Sequence, residues 1–376
     1  MTIAFDARTI LGPKTGDRTY TLNLMQTLPV VDEENQYLFL FDREPEAHLI
    51  PVRANVSSYV RPWPGGKLWT AWGLPLTLAR LGVNLLHLQY IAPLVCPCPY
   101  VTTVHDLSFL HYPTTFPPKD LLFLRLFVPL SVRRAALVLT GSESTKRDLI
   151  RYLNLPAGRV QVTPYGVGRE FYPRCGEEQR QVRAKYGLPR TFVLSVGVLQ
   201  PRKNLERLLA AYCLLRKEGH PPPPLVITGK KGWSFASLFR RAEEWDLRDA
   251  VIFTGYVPDE DLPALYSAAQ LLAYPSLYEG FGLPVLEAMA CGTPVVTSNV
   301  SALPEVAGAA AELVVPTQVE SIAEGLWRLL ASPQRRAELR HLGLQRARAF
   351  TWQRTAELTL AAYRQVIGDG QEGRET

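Results

Sequence analysis

The stretch 269–294 limits the possible folds more tightly than any other part of the chain. Residues 269–274 are apolar and read as a buried strand. Gly280 and Gly282 follow in a short loop, where glycine permits backbone angles and close approaches that a side chain would block. Pro284 suits the first turn of a helix, which needs no backbone N–H there. Gly292, with Pro294 beyond it, suits the stop. Strand, glycine loop and helix N-terminus therefore succeed one another, and the N–H groups at such a start attract anions and hydroxyl oxygens. Glu279 and Glu287 bracket the turn, one in the loop and one inside the helix.

At 376 residues the chain exceeds one ordinary core, so two domains are expected. A hydrophobic share of 47% with 20% charged residues is that of a globular protein. The formal net charge of +6 and a pI near 9.0 favour acidic partners such as sugar nucleotides, anionic lipids or nucleic acid. Most of the surplus lies in residues 1–175, with 18 Lys and Arg against 13 Asp and Glu. Of the five cysteines only Cys96 and Cys98 are close, and no second pair stands at metal-site spacing; this excludes a zinc site and fits a reducing compartment. Residues 1–6 carry no basic leader, so no signal peptide is expected. The longest apolar stretch, 121–132, is broken by Arg125 and Pro129 and is too short to span a bilayer.

Short apolar strands alternate with helical links through both halves. Strands are expected at 2–5, 37–41, 57–60, 84–88, 100–104, 137–140 and 159–163, with helices at 19–28 and 121–132. The second half repeats the pattern with strands at 191–196, 225–228, 251–254, 271–274, 295–297 and 313–316, helices at 205–215, 235–245, 261–268 and 321–330, and a last helix through 367. Such alternation argues for α/β architecture with parallel sheets. Residues 171–189 read as the link, and 368–376 as a frayed tail. Three sites fall at strand ends, where open α/β sheets bind ligands. Gly12 and Gly16 lie in the loop after the first strand. His105 and Asp106 follow the strand 100–104. Arg202 and Lys203 follow 191–196, with Gly197 before them and Asn204 as the expected cap of the next helix. The triplet Asp259-Glu260-Asp261 reads as helix-start caps rather than a metal site.

Two further features carry alternative readings. Trp63, Trp69 and Trp72 sit in a Pro- and Gly-rich helix start; they read first as core packing and second as an aromatic wall for an acceptor. Arg125, Arg133, Arg134, Lys146, Arg147 and Arg151 read first as solvated helix faces and second as a docking surface for an anionic bilayer.

The 275–294 stretch, with its E-x7-E spacing, resembles the signature of the retaining glycosyltransferases of family 4. The resemblance extends to His105-Asp106-Leu107, Pro164-Tyr165-Gly166-Val167, Arg202-Lys203-Asn204, the loop Gly229-Lys230-Lys231-Gly232-Trp233 and Ser301-Ala302-Leu303-Pro304-Glu305-Val306. It implies a GT-B fold: two Rossmann-like parallel-sheet domains facing across a cleft, with the C-terminal helix crossing back to the first. On that reading 1–170 is the acceptor-side domain, rejoined by 352–367, and 190–350 binds the donor. The implied reaction moves a sugar from a nucleotide-diphosphate sugar, of GDP-mannose or UDP-hexose type, to an acceptor hydroxyl with retention, in polysaccharide or glycolipid assembly. Arg202 and Lys203 would bind the diphosphate in place of a metal, so no metal cofactor is expected. Glu279 would hold sugar hydroxyls, His105 would orient the donor sugar, and Glu287 would hold the ribose. Gly16, Gly197, Phe281, Gly282 and Leu283 complete the expected donor contacts; Arg18, Trp63 and Trp69 are the acceptor candidates. The expected partners are a sugar nucleotide, a saccharide or lipid-linked acceptor and an anionic membrane surface at the cytoplasmic face, without nucleic acid. A GT-B sugar-nucleotide hydrolase or epimerase and a non-catalytic basic binding protein are the competing classes; the absence of a nucleic-acid module weighs against the second.

Overall fold

Thirteen short apolar strands form two sheets in the computed structural model, which describes residues 1–13, 15–230 and 235–372. The first comprises β1 (Thr2–Asp6), β2 (Gln36–Phe41), β3 (Val56–Val60), β4 (Leu85–Gln89), β5 (Tyr100–Thr103), β6 (Leu137–Thr140) and β7 (Val160–Val162). The second comprises β8 (Val193–Val196), β9 (Leu225–Thr228), β10 (Val251–Gly255), β11 (Leu271–Tyr274), β12 (Val295–Ser298) and β13 (Glu312–Val314). All recorded pairings are parallel. Parallel strands are covered on both faces, which is why runs such as Leu85-Leu86-His87-Leu88 are buried throughout.

The chain divides into two compact units, unit 1 with 1–166 and 351–376 and unit 2 with 167–350. In unit 1 the strand order is β3-β2-β1-β4-β5-β6-β7, and in unit 2 it is β10-β9-β8-β11-β12-β13. Each order reverses once, between β1 and β4 and between β8 and β11. A crevice opens outside the strand ends at such a reversal, so topology alone marks the ends of β1, β4, β8 and β11. The two-sheet α/β expectation is met.

Several boundaries differ from the sequence reading. The first helix runs Gly16–Val31, three residues earlier than expected, because the Thr15 hydroxyl accepts the Arg18 N–H at 3.2 Å and caps it. Residues 171–189 are not a plain link: they hold the helix Gly176–Tyr186, anchored by a capping box at Cys175 and Glu178. A helix Pro333–Ala347 fills a segment left unassigned, and the last helix runs Trp352–Glu372, past 367. The turn 301–308 contains a short helix, Leu303–Ala307. Asn204 occupies the N-cap position of the helix Leu205–Lys217 but does not cap it, since its backbone is left-handed at φ 60°. Asp261 does not cap either. Its carboxylate accepts from Lys185 Nζ at 2.6 Å and Tyr186 hydroxyl at 2.5 Å, tying the helix Gly176–Tyr186 to Leu262–Ala268. Of the loop 229–233, residues 231–233 lie outside the described residues, as do the last four of the expected tail.

Candidate active site

In unit 2 the site grows from the reversal between β8 and β11. Gly197 leaves β8 at φ 140°, and Gly229 leaves β9 at φ 147°. A β-carbon on Gly229 would stand 1.9 Å from the Gly197 carbonyl oxygen, so the two loops meet backbone to backbone. The chain then makes a 3-10 turn, Pro201–Lys203, and the left-handed Asn204 follows. The Asn204 amide donates to the Pro275 carbonyl at 2.9 Å and the Pro316 carbonyl at 2.6 Å, joining the exits of β8, β11 and β13. Leu277 N–H donates to the Arg202 carbonyl at 2.9 Å, locking the two loops in register.

This frame brings Arg202, Lys203 and Glu279 into one cluster. Arg202 Nη1 lies 2.7 Å from Glu279 Oε2, and Lys203 Nζ lies 2.7 Å from Oε1. Lys203 also donates to the Tyr274 hydroxyl, which donates to Oε1 at 3.0 Å. Arg202 donates to the Tyr278 carbonyl at 2.5 Å, and Glu279 N–H to Ser301 Oγ at 2.9 Å. Burial alone would raise the Glu279 carboxyl, but Arg202 and Lys203 overcome it and hold the group at about 2. Two cations face one carboxylate, so the cluster keeps a surplus of positive charge at a strand edge.

The adjoining loop turns at Gly282, with φ 111°, into the helix Leu283–Ala290. Phe281 is buried edge-on against Phe350, with ring centroids 5.9 Å apart. Leu283 is half-buried at the helix start. Glu287 is buried one turn further in, and its Oε2 accepts the Tyr266 hydroxyl at 2.8 Å.

In unit 1 His105 follows β5. Its Nε2 is 2.8 Å from Gln89 Oε1, and its Nδ1 is 2.6 Å from the Tyr165 hydroxyl. The Gln89 amide nitrogen donates to Thr21 Oγ1, so its oxygen faces the ring and Nε2 carries the proton. Burial lowers the His105 pKa, with Asp17 and Asp106 opposing it, and the ring is neutral. Tyr165 in turn packs over Gly141, where a β-carbon would stand 2.8 Å from its ring. Asp106 accepts Ser108 N–H at 2.8 Å and so closes the turn that leads into the short helix Ser108–His111.

The remaining sequence candidates separate. Gly16 is the first residue of its helix, exposed, with no atom within 4 Å of where a β-carbon would lie. Arg18 Nε donates to the Ile10 carbonyl at 3.0 Å and so braces the loop after β1. Trp69 is fully buried in the core of unit 1, which removes it from the acceptor candidates. Trp63 is half-buried against the same core, and Gly73 admits both rings. Sequence reasoning missed Gln89 and Tyr274, and gave Tyr165, Asn204 and Ser301 only as members of motifs, without these contacts. Gln89 and Tyr274 could have been found by their place at the ends of β4 and β11.

The family model described as Glycosyl transferases group 1 matches residues 177–346, and that described as Glycosyltransferase Family 4 matches 19–171. The O-antigen chain mannosyltransferase B of Escherichia coli is 38% identical over 265 residues, 70% of each chain. Serotype-specific mannosyltransferase WbdA of the same organism is 35% identical over 243 residues, 64% of this chain but 30% of that longer one. Among solved structures, the sucrose-phosphate synthase of Thermosynechococcus elongatus superposes with a TM-score of 0.79 at 23% identity, covering 98% of this chain and 100% of that one. Anabaena HepE in complex with UDP and glucose gives 0.74 at 20% identity, covering 96% and 100%. These two likenesses carry the fold, GT-B. The chain belongs to the glycosyltransferases of family 4.

Proposed function

We propose that the protein is a retaining hexosyltransferase that moves mannose from a nucleotide-diphosphate donor to a hydroxyl of a growing saccharide or glycolipid. The observation that carries this is the Arg202–Lys203–Glu279 cluster at the reversal of sheet order in unit 2. When the bond between the anomeric carbon and the diphosphate breaks, negative charge builds on the departing oxygens. The guanidinium and ammonium are already in place for it, fixed by Glu279, Tyr274 and the Tyr278 carbonyl. Glu279 thus serves first to hold the two cations, and through its charge it favours the oxocarbenium-like carbon. The acceptor oxygen attacks from the face the diphosphate leaves, and the acceptor proton passes to the departing diphosphate oxygen. His105, neutral, is assigned to orient the sugar; an imidazolium there would oppose positive charge at the anomeric carbon. Glu287 is assigned to the ribose hydroxyls, with Gly16, Gly197, Gly282 and the start of the helix Leu283–Ala290 near the phosphates. Mannose is favoured by the names of the relatives at 38% and 35% identity.

The test is purified enzyme with GDP-mannose and UDP-hexoses in parallel. Lys203→Ala and Glu279→Ala should each lower kcat by about a hundredfold or more in protein that still folds, with Glu279→Ala melting lower because it leaves two buried cations unpaired. Near-normal turnover in either rejects the assignment. Proton NMR of the product from an α-linked donor should show an α-linkage; a β-linkage rejects retention. Because the two cations are assigned the charge work of a metal, a chelator should leave the rate unchanged.

A further inference from the structure

In unit 2, hydroxyls on β12 and on the turn after it fasten the loop that carries Glu279. Thr297 Oγ1 donates to the Tyr274 carbonyl at 2.9 Å, and Ser298 Oγ donates to the Ser276 carbonyl at 2.6 Å. These two bonds hold the exit of β11 against the exit of β12. The next bond runs the other way. Ser301 Oγ accepts the Glu279 N–H at 2.9 Å and gives its own hydrogen to the Val300 carbonyl at 2.7 Å. A hydroxyl has one hydrogen, so the bond to Val300 turns the oxygen's lone pairs toward Glu279. Ala302 N–H donates to the Glu279 carbonyl at 3.3 Å, so both polar backbone groups of Glu279 rest on this turn. Leu303 supports the same loop further on: a β-carbon on Gly282 would stand 2.8 Å from its Cδ2.

Ser301 does this in a conformation that serine disfavours. Its φ is 55°. Glycine enters that left-handed region freely, and asparagine and aspartate enter it more readily than other residues. Strain of this kind persists where the surrounding structure over-determines it, and it clusters at functional sites. Glycine would satisfy the turn but would bring no hydroxyl to the Glu279 N–H. Glu279 is buried, and its carboxylate lies 2.7 Å from Arg202 and 2.7 Å from Lys203. That side chain springs from the backbone that Ser301 and Ala302 hold. A shift of the backbone would draw the carboxylate off both cations together.

We propose that Ser301 is a positioning residue for the transfer: its strained turn and its hydroxyl hold the Glu279 backbone where the carboxylate reaches Arg202 and Lys203 at once. This role rests on the one assigned to Glu279 above. Kinetics and melting of single variants of the full chain test it. Ser301→Gly removes the hydroxyl and relieves the turn. It should melt close to the native protein, because relieved strain offsets the lost hydrogen bond, yet lose about tenfold or more in kcat. Ser301→Thr keeps the hydroxyl but puts a β-branched residue at positive φ. It should melt lower and keep a kcat close to native. A serine needed only for folding would make rate follow melting in both. The pH profile gives a separate readout. Arg202 and Lys203 hold Glu279 at about 2 against burial, so a carboxylate drawn off them takes up a proton at higher pH. The kcat of Ser301→Gly should therefore fall on an acid limb that the native enzyme lacks. A native kcat and pH profile in Ser301→Gly, or rates that follow melting in both variants, would overturn the role of Ser301. Glu279→Ala tells the two levels apart: if it is slow while Ser301→Gly is native, only Ser301 loses its role, and if it turns over normally both fall.

Discussion

His105 is gripped from both sides by groups of fixed sense: Gln89 Oε1 accepts from Nε2 and the Tyr165 hydroxyl donates to Nδ1. Replacing the amide by a carboxylate changes charge with almost no change of shape. Gln89→Glu should therefore raise the His105 pKa toward neutrality, because an ionised partner favours imidazolium. The rate should fall on the acid side of a new pH limb, whereas Gln89→Leu should lower the rate without adding one. A pH–rate profile of the two variants that is superimposable would sink this account. The Arg202, Lys203 and Glu279 residues were legible because they sit within short motifs at strand ends. Gln89 was not, and Asn204 was read only as a motif member and a cap, because their work is done across long sequence separations. The Asn204 amide meets carbonyls 71 and 112 positions away, and no local pattern encodes such a partner.

Elements were readable where apolar periodicity was strong and failed where it was weak. The helix Gly176–Tyr186 has one buried residue, Val182, among charged neighbours, so its sequence looked like a link. Its stability comes instead from the capping box and from the Lys185 and Tyr186 bonds to Asp261. Trp69 shows the converse: its aromatic ring suited a binding wall, but a π-helical turn, Trp69–Gly73, faces it inward. Pro75 lacks the N–H that a regular helix needs there, and Leu74 N–H reaches back to the Trp69 carbonyl. The backbone contact between the exits of β8 and β9 gives the sharpest prediction at this scale. Gly229→Ala combines φ 147° with a 1.9 Å clash against Gly197. It should cost roughly 2 kcal/mol or more, and donor affinity should drop with it; a calorimetric melt equal to the native one would refute the proposed tightness.

Over the whole molecule, the two series of alternating strands and helices were legible as two parallel sheets, while the discontinuity of unit 1 was expected only from the resemblance, since it rests on packing. The helix Trp352–Glu372 joins the first sheet through Tyr363, whose hydroxyl is 2.5 Å from His87 Nδ1; His87 Nε2 is 2.7 Å from Thr103 Oγ1, which also meets the Tyr20 hydroxyl at 3.0 Å. Burial, with His105 adding to it, holds His87 at about 3. In the unfolded chain it takes a proton near 6.5. Between those values the unfolded state binds the extra proton, so stability should fall as pH drops from 6.5 toward 3, by at most about 1.4 kcal/mol per pH unit. Guanidinium midpoints across that range should fall less steeply for His87→Gln; identical slopes would exclude the group. The same helix has a further consequence for biogenesis. Residues 351–372 leave the ribosome after all of 167–350, so the domain whose strands emerge first is the last to be completed. Until then Tyr20, His87 and Thr103 lack their closing partner, and a stalled nascent chain would expose that polar cluster to chaperones.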